Sequence, residues 1–172
     1  MSSNSRLSVA DAVRRWAVDH DLPFDEADDY TIVVVLPGEK KLRTTVSVVV
    51  GEHALNVDAF VMRHPDENVA VVHRWLLERN LKLSLVAYAV DHLGDVYLSG
   101  RVPLAAVNDD LLDGLFGQVL EAADDPFNLL LEMGFESAIR REWAWRLDRG
   151  ESTGNLTAFE HLRPGTDESQ DG

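Results

Sequence analysis

Apolar residues recur along this chain with two different periods, and the changes of period divide it into elements. Val9, Ala12, Val13, Trp16 and Ala17 follow one another at helical spacing. Ser8 with Asp11 three residues on has the capping-box pattern, and Leu22-Pro23 stops the run. A helix is therefore predicted from about Ser8 to His20. Asp25 to Asp29 is acidic and reads as a solvated loop. The period then becomes two. Tyr30–Leu36, Leu42–Val50 and Leu55–Arg63 read as three successive strands, punctuated by Pro37-Gly38-Glu39 and Gly51-Glu52. Ile32, Val34, Val46, Val48, Val57 and Ala59 share the face this meander buries. The opposite face carries Val33, Val35, Val49, Phe60 and Met62, which is apolar for a surface left in water.

His64 to Asn68 breaks the alternation, with Asp66 as the expected N-cap of a helix carrying Val69, Val72, His73 and Leu76. Two more strands follow. Leu83, Leu85, Ala87 and Ala89 are assigned inward, and Asp91 to Asp95 turns the chain into Val96–Val102. Val86, Val90 and Tyr88 then join the opposite face. Asn108 or Asp109 opens a helix bearing Leu111, Leu112, Leu115, Phe116, Val119, Leu120 and Ala123. Pro126 restarts it, with Phe127, Leu130 and Leu131 inward, and Gly134 ends or kinks the segment. A last helix is expected over Glu136–Arg149, with Phe159 and Leu162 pinning a short segment beyond it. The order α-β-β-β-α-β-β-α(α) predicts an α+β fold: a single antiparallel five-stranded sheet with helices packed against it. Residues 1–7 are expected as a flexible leader, 8–162 as one domain and 163–172 as a disordered tail.

Composition narrows the function classes. At 172 residues and 45% hydrophobic, the chain suits one globular domain with a real core. Thirty acidic against sixteen basic residues give a net charge of −14, which disfavours nucleic acid and anionic membrane as general partners. There is no cysteine, so disulfides, thiolate metal sites and cysteine nucleophiles are excluded. The longest apolar runs are far too short for a membrane span, and the polar start lacks a signal-peptide pattern, so a cytoplasmic location is expected.

Candidate chemistry is sparse. The six histidines are scattered without metal-ligand spacing. Asp91 and Asp95 flank a turn whose own chemistry accounts for them. No nucleophile elbow, phosphate loop or dinucleotide motif occurs. Catalytic, cofactor and metal residues are therefore expected to be none. A local basic cluster with aromatics remains, at Arg140, Arg141, Trp143, Trp145, Arg146 and Arg149. It serves either as helix C-terminal charge compensation with an inward Trp143, or as a recognition surface, for which Arg and Trp are well suited.

The element order resembles the type III secretion chaperone-like fold. Leu36-Pro37-Gly38-Glu39 with Lys41-Leu42, Gly51-Glu52-His53, Ala59-Phe60-Val61 and Pro65-Asp66-Glu67-Asn68 resemble the YbjN family. So do Tyr88-Ala89-Val90-Asp91 and Gly94-Asp95-Val96-Tyr97-Leu98-Ser99-Gly100-Arg101. Ile139 to Arg146 and Arg149 to Ser152 are similar to a tail in one bacterial subgroup. The resemblance spans roughly residues 8–162. Members are described as bacterial sensory transduction regulators, without an established activity, and relatives in fold bind partner polypeptides and commonly dimerise. The resemblance thus implies a non-enzymatic, chaperone-like regulatory domain, acting in bacterial signalling or stress regulation.

Its expected partner is a protein or a second copy of itself. The candidate surface is Arg140, Arg141, Trp145, Arg146, Arg149, Val33, Val35, Phe60 and Met62. The alternative is a small-molecule sensor or enzyme with a pocket between sheet and helices, using Asp58, Tyr88 and His73 as polar groups. Whether helices cover both sheet faces decides between core and interface for the second face.

Overall fold

The structure, a computed structural model, describes residues 3–165. Its elements are α1 (Ser3–Asp19), β1 (Phe24–Asp28), β2 (Thr31–Pro37), β3 (Arg43–Val50), β4 (Ala54–Met62), α2 (Val69–Asn80), β5 (Ala87–Val90), β6 (Val96–Pro103), α3 (Asp109–Asp124) and α4 (Phe127–Arg149). Short 3-10 turns occupy Leu104–Ala106 and Gly154–Leu162. α1 starts ahead of Ser8, so residues 3–7 of the expected leader are helical. Met1 and Ser2 of that leader, and residues 166–172 of the expected tail, lie outside the described residues.

The sheet is antiparallel and has six strands, not five, in the order β1-β2-β3-β4-β6-β5. The additional strand is the acidic stretch read as a loop. Phe24 pairs with Val34 and Glu26 with Ile32, while Asp25 to Asp28 stay exposed. An edge strand needs no apolar alternation, and carboxylates on an edge discourage pairing with other chains. That is why composition concealed it.

Along β2, β3 and β4 as far as Val61 every second residue is buried, and the intervening residues are half-buried or exposed. The buried set joins Ala10, Val13 and Trp16 of α1, Val72 and Leu76 of α2, and Leu112, Leu115, Phe116 and Val119 of α3 in one core. Trp16 stacks on Phe116 with ring centroids 4.2 Å apart. The helices therefore pack on one face of the sheet.

Two face assignments are corrected. Tyr88 lies opposite Leu98, so Tyr88 and Val86 point into the core while Ala87 and Ala89 face out. Both sets were apolar, so period alone did not say which faced in. Leu83 and Leu85 precede the strand. There the Gln118 Oε1 accepts the N–H groups of Ser84, Leu85 and Val86 at 3.1, 2.7 and 3.1 Å in place of a sheet partner. Met62 is also inside, 3% exposed. A bulge between Phe60 and Met62 in the β4–β6 ladder shifts the alternation by one, burying Val61 and Met62 together.

The connection into α2 and the middle of α4 are fixed by each other. Phe135 departs from helical geometry (φ −143°, ψ 21°), which kinks α4 next to Gly134, as expected. The Gly134 carbonyl accepts the N–H groups of Asp66 and Glu67 at 2.9 and 3.2 Å. A side chain at Gly134 would press on Pro65. Asn68 rather than Asp66 occupies the N-cap of α2, in a left-handed conformation, and Asp66 pairs with Arg63 at 2.7 Å. Asn108 caps α3 by accepting the Leu111 N–H at 2.8 Å.

Candidate functional site

The face of the sheet turned away from the helices follows directly from the strand register. Val33, Ser47, Asp58 and Ser99 form one cross-strand row, and Val49, Asn56 and Arg101 form another. Phe60 and Tyr97 are opposite each other, with ring centroids 5.5 Å apart in an edge-to-face pair. Val33 and Val35 are half-buried by neighbours in the sheet. Val49 is 37% and Phe60 39% exposed. This face is a mixed surface with an apolar centre, not a polar one.

At the end of β4 the open face runs into a groove of about 400 Å³. Phe60 stands at the junction. Val61, Met62, Phe127, Leu131, Ile139 and Phe159 contribute apolar walls, with Phe135 and Ala138. The kink at Phe135 brings both halves of α4 to the groove. The side chains that bring charge to its lining are Lys41 and Arg63. Arg63 is committed: it makes two hydrogen bonds to the Asp66 carboxylate, at 2.7 and 3.0 Å, and lies 4.2 Å over the Phe135 ring. Lys41 donates its Nζ to the Val61 carbonyl at 3.1 Å and sits 4.9 Å from the Phe127 ring centre. Burial holds its ammonium below the usual lysine pKa.

The arginine cluster lies alongside, on the second half of α4. Arg140 pairs with Glu136 at 2.9 Å and Arg146 with Glu142 at 2.6 Å, both one helical turn apart. Arg146 also donates to the Ser152 carbonyl at 2.7 Å. Arg149 lies over the Trp145 ring at 5.0 Å, and Trp145 is exposed. Arg141 is exposed and makes no hydrogen bond or ion pair among the described residues. A second concavity is lined by Ala138, Arg141, Glu142, Trp145, Arg146 and Glu151, so Ala138 borders both depressions. Trp143 is inward, as expected. It forms a small separate core with Leu156, Phe159 and Leu162.

The polar groups expected in a sheet–helix pocket do not converge. Asp58 is on the open face. Tyr88 is in the core, where its hydroxyl donates to the Ala122 carbonyl at 2.7 Å and burial pushes its pKa up to about 12. It is a neutral structural donor. His73 is on α2, its Nε2 buried without a hydrogen-bond partner among the described residues. Asp91 and Asp95 serve the turn and its neighbour: Asp91 accepts the N–H groups of Leu93 and Asp95, and Asp95 accepts that of His64. Among the described residues no cluster of three or more metal-ligating side chains occurs, and no helix is long and apolar enough to cross a membrane.

Alternation along the strands places Val33, Val35 and Phe60 on the second sheet face, where they lie, but does not gather Lys41, Phe127, Leu131, Phe135 and Phe159 into one groove. Phe127 and Leu131, four apart at the start of α4, do carry a signal, but helical spacing alone reads both as ordinary core. Their gathering with Lys41 depends on the kink and on the β2–β3 turn, neither of which leaves a periodic trace.

The chain is similar to proteins of known sequence and structure. The YbjN family model, described as "Putative bacterial sensory transduction regulator", matches residues 10–132. An uncharacterised protein of Mycobacterium tuberculosis is 55% identical over 138 residues, covering 80% of this chain and 75% of that one. One from Mycobacterium leprae is 53% identical over 131 residues, covering 76% and 71%. Among solved structures, the ExoU–SpcU heterodimeric complex from the type III secretion system of Pseudomonas aeruginosa matches with a TM-score of 0.52 at 18% identity, over 70% of this chain and 96% of that one. The HopA1–SchA chaperone–effector complex matches with a TM-score of 0.52 at 12% identity, over 72% and 95%. These establish an α+β fold similar to type III secretion chaperones. With a family model spanning residues 10–132 and relatives more than half identical, this chain belongs to the YbjN family.

Proposed function

We propose that this chain is a non-enzymatic regulatory domain that binds a polypeptide partner across the open face of its sheet, in the manner of a chaperone. The observation that carries this reading is the half-exposed apolar centre of that face, Val33, Val35, Val49, Phe60 and Tyr97, on the side of the sheet turned away from α1, α2 and α3. Apolar surface of this kind is retained where something covers it. The similarity in fold to proteins held in a heterodimeric and a chaperone–effector complex supports the same reading. Trp145 and Arg141, across Ala138 from the groove, extend the surface and supply an aromatic anchor and a cation at its rim. Arg140, Arg146 and Arg149 contribute through the pairs that hold this rim in shape. The site of action is the cytoplasm, and the role is in bacterial signalling or stress regulation.

The partner is either another protein or a second copy forming a homodimer, and one pair of variants separates these. Phe60→Asp and Val33→Asp place a carboxylate on the open face, at a modest cost in stability of about 1 kcal/mol or less. Polypeptides that co-purify with the tagged wild-type chain are expected to be lost from both variants, with thermal unfolding nearly unchanged. If light scattering instead gives a wild-type dimer that Phe60→Asp converts to a monomer, the occupant is the second copy. Retention of the same partners and the same mass by both variants contradicts the proposal.

A further inference from the structure

The geometry points to the groove at the end of β4 as a binding site for an apolar chain ending in a carboxylate, of the fatty-carboxylate class, with Lys41 as its counter-ion. Three observations converge. First, the groove's volume of about 400 Å³ falls in the range of small-molecule sites. Its walls at Met62, Phe127, Leu131, Ile139 and Phe159 are wholly apolar in their side chains.

Second, its one uncommitted charge is a cation. In a chain of 30 acidic and 16 basic residues, the half-buried Lys41 ammonium has no carboxylate within ion-pair distance among the described residues. Its bond to the Val61 carbonyl uses one of three N–H donors. Asp124, which accepts the Lys41 backbone N–H, does not engage the ammonium. Arg63 is already satisfied by Asp66. A carboxylate arriving at the Lys41 end would offset the burial that lowers this amine's pKa.

Third, the groove discriminates between occupants. An extended peptide laid along it brings an N–H and a C=O with each residue, and apolar side-chain walls leave those groups unpaired at a cost. An acyl chain brings none. The inference does not rest on the polypeptide partner proposed for the open sheet face, and it is tested separately from it.

Isothermal titration of the full chain with octanoate, decanoate, decanol and decyltrimethylammonium tests the site. Decanoate is expected to bind more tightly than decanol, and the cation not to bind. Each methylene from octanoate to decanoate should tighten binding about four-fold, the equivalent of ~0.8 kcal/mol. Lys41→Met keeps the stem's packing and should weaken decanoate about ten-fold or more while leaving decanol unchanged. Leu131→Trp fills the groove and should abolish both. Ala138→Phe serves in its place if circular dichroism finds Leu131→Trp misfolded. Equal affinity for decanoate and decanol, an unaltered decanoate affinity in Lys41→Met, or no binding of any probe would overturn the inference.

Discussion

Trp143→Ala is expected to free residues 154–162 from α4 while the sheet remains folded. Trp143 is 1% exposed and sits at the centre of the small core formed with Leu156, Phe159 and Leu162. Its indole Nε1 donates to the Phe159 carbonyl at 3.0 Å. Truncating a buried tryptophan costs about 3–5 kcal/mol. That is a large part of the roughly 5–15 kcal/mol that stabilises a whole domain. Here the loss falls on a small separate cluster, with Leu131 and Ile139 packed between it and the main core. The contacts left to hold the segment include the bond between His161 Nε2 and the Glu132 carboxylate at 2.9 Å, the Arg146 bond to the Ser152 carbonyl and the left-handed Gly150 that closes α4 (φ 66°). Hydrogen exchange reads the outcome. The N–H groups of Leu156 and Arg163, bonded to Thr153 and Glu160, should lose protection, while those of β3 and β4 keep theirs. Equal loss across the sheet would mean that the C-terminal cluster is integral to the domain. Because Phe159 also lines the groove, the same variant should weaken decanoate binding.

The second large effect is expected at Asp124→Ala. Asp124 is buried at the C-terminal end of α3, where the helix dipole disfavours a carboxylate. Its Oδ1 accepts the backbone N–H groups of Lys40 and Lys41 at 2.8 and 2.7 Å, which ties the β2–β3 turn onto α3. Gly38 is required by the same arrangement, since a Cβ there would overlap the Lys41 carbonyl and the Asp124 carboxylate. Removing the acceptor strands those donors and should cost about 3 kcal/mol, read as a lower urea midpoint.

The pH dependence follows from the sign of the shift. Desolvation pushes the Asp124 pKa up, but the N–H groups of Lys41, Glu39 and Lys40 pull it down further, leaving it below the ordinary carboxylate value. The stabilisation is therefore complete above the unfolded value of about 3.9 and is lost as pH falls through the lower, folded one. The gap in midpoint between wild type and Asp124→Ala should be constant near neutrality and close in acid. A gap that persists to low pH would show that the carboxylate's charge is not what ties the turn.

Much of the architecture was legible because β2, β3 and β4 alternate cleanly: Ile32, Val34, Val46, Val48, Val57 and Ala59 are all buried as read. Caps and breakers placed α3 at Asn108 and the kink beside Gly134 for local reasons that the chain carries in a few residues. What escaped was non-local. The strand at Phe24–Asp28 is acidic because it is an edge, so its sequence resembles a loop. The phase of β5 was set by the pairing of Tyr88 with Leu98 and by Gln118 reaching from α3, neither visible in an apolar run. Met62 changed sides through a single bulge. For the site, Val33, Val35 and Phe60 were legible as a second apolar face. Lys41 was not, because what sets it apart, no carboxylate within ion-pair distance among the described residues, is decided only by folding.

Site-specific photo-crosslinking in the organism's own cells tests whether the open sheet face binds a polypeptide. A benzophenone side chain is placed in turn at Val35 and Phe60 on the open face and at Leu77, exposed on α2 of the helical side. Irradiation should give the same discrete polypeptide adducts from positions 35 and 60 and none of them from position 77. No adduct at 35 and 60, or the same adducts at all three positions, would contradict a polypeptide-binding sheet face.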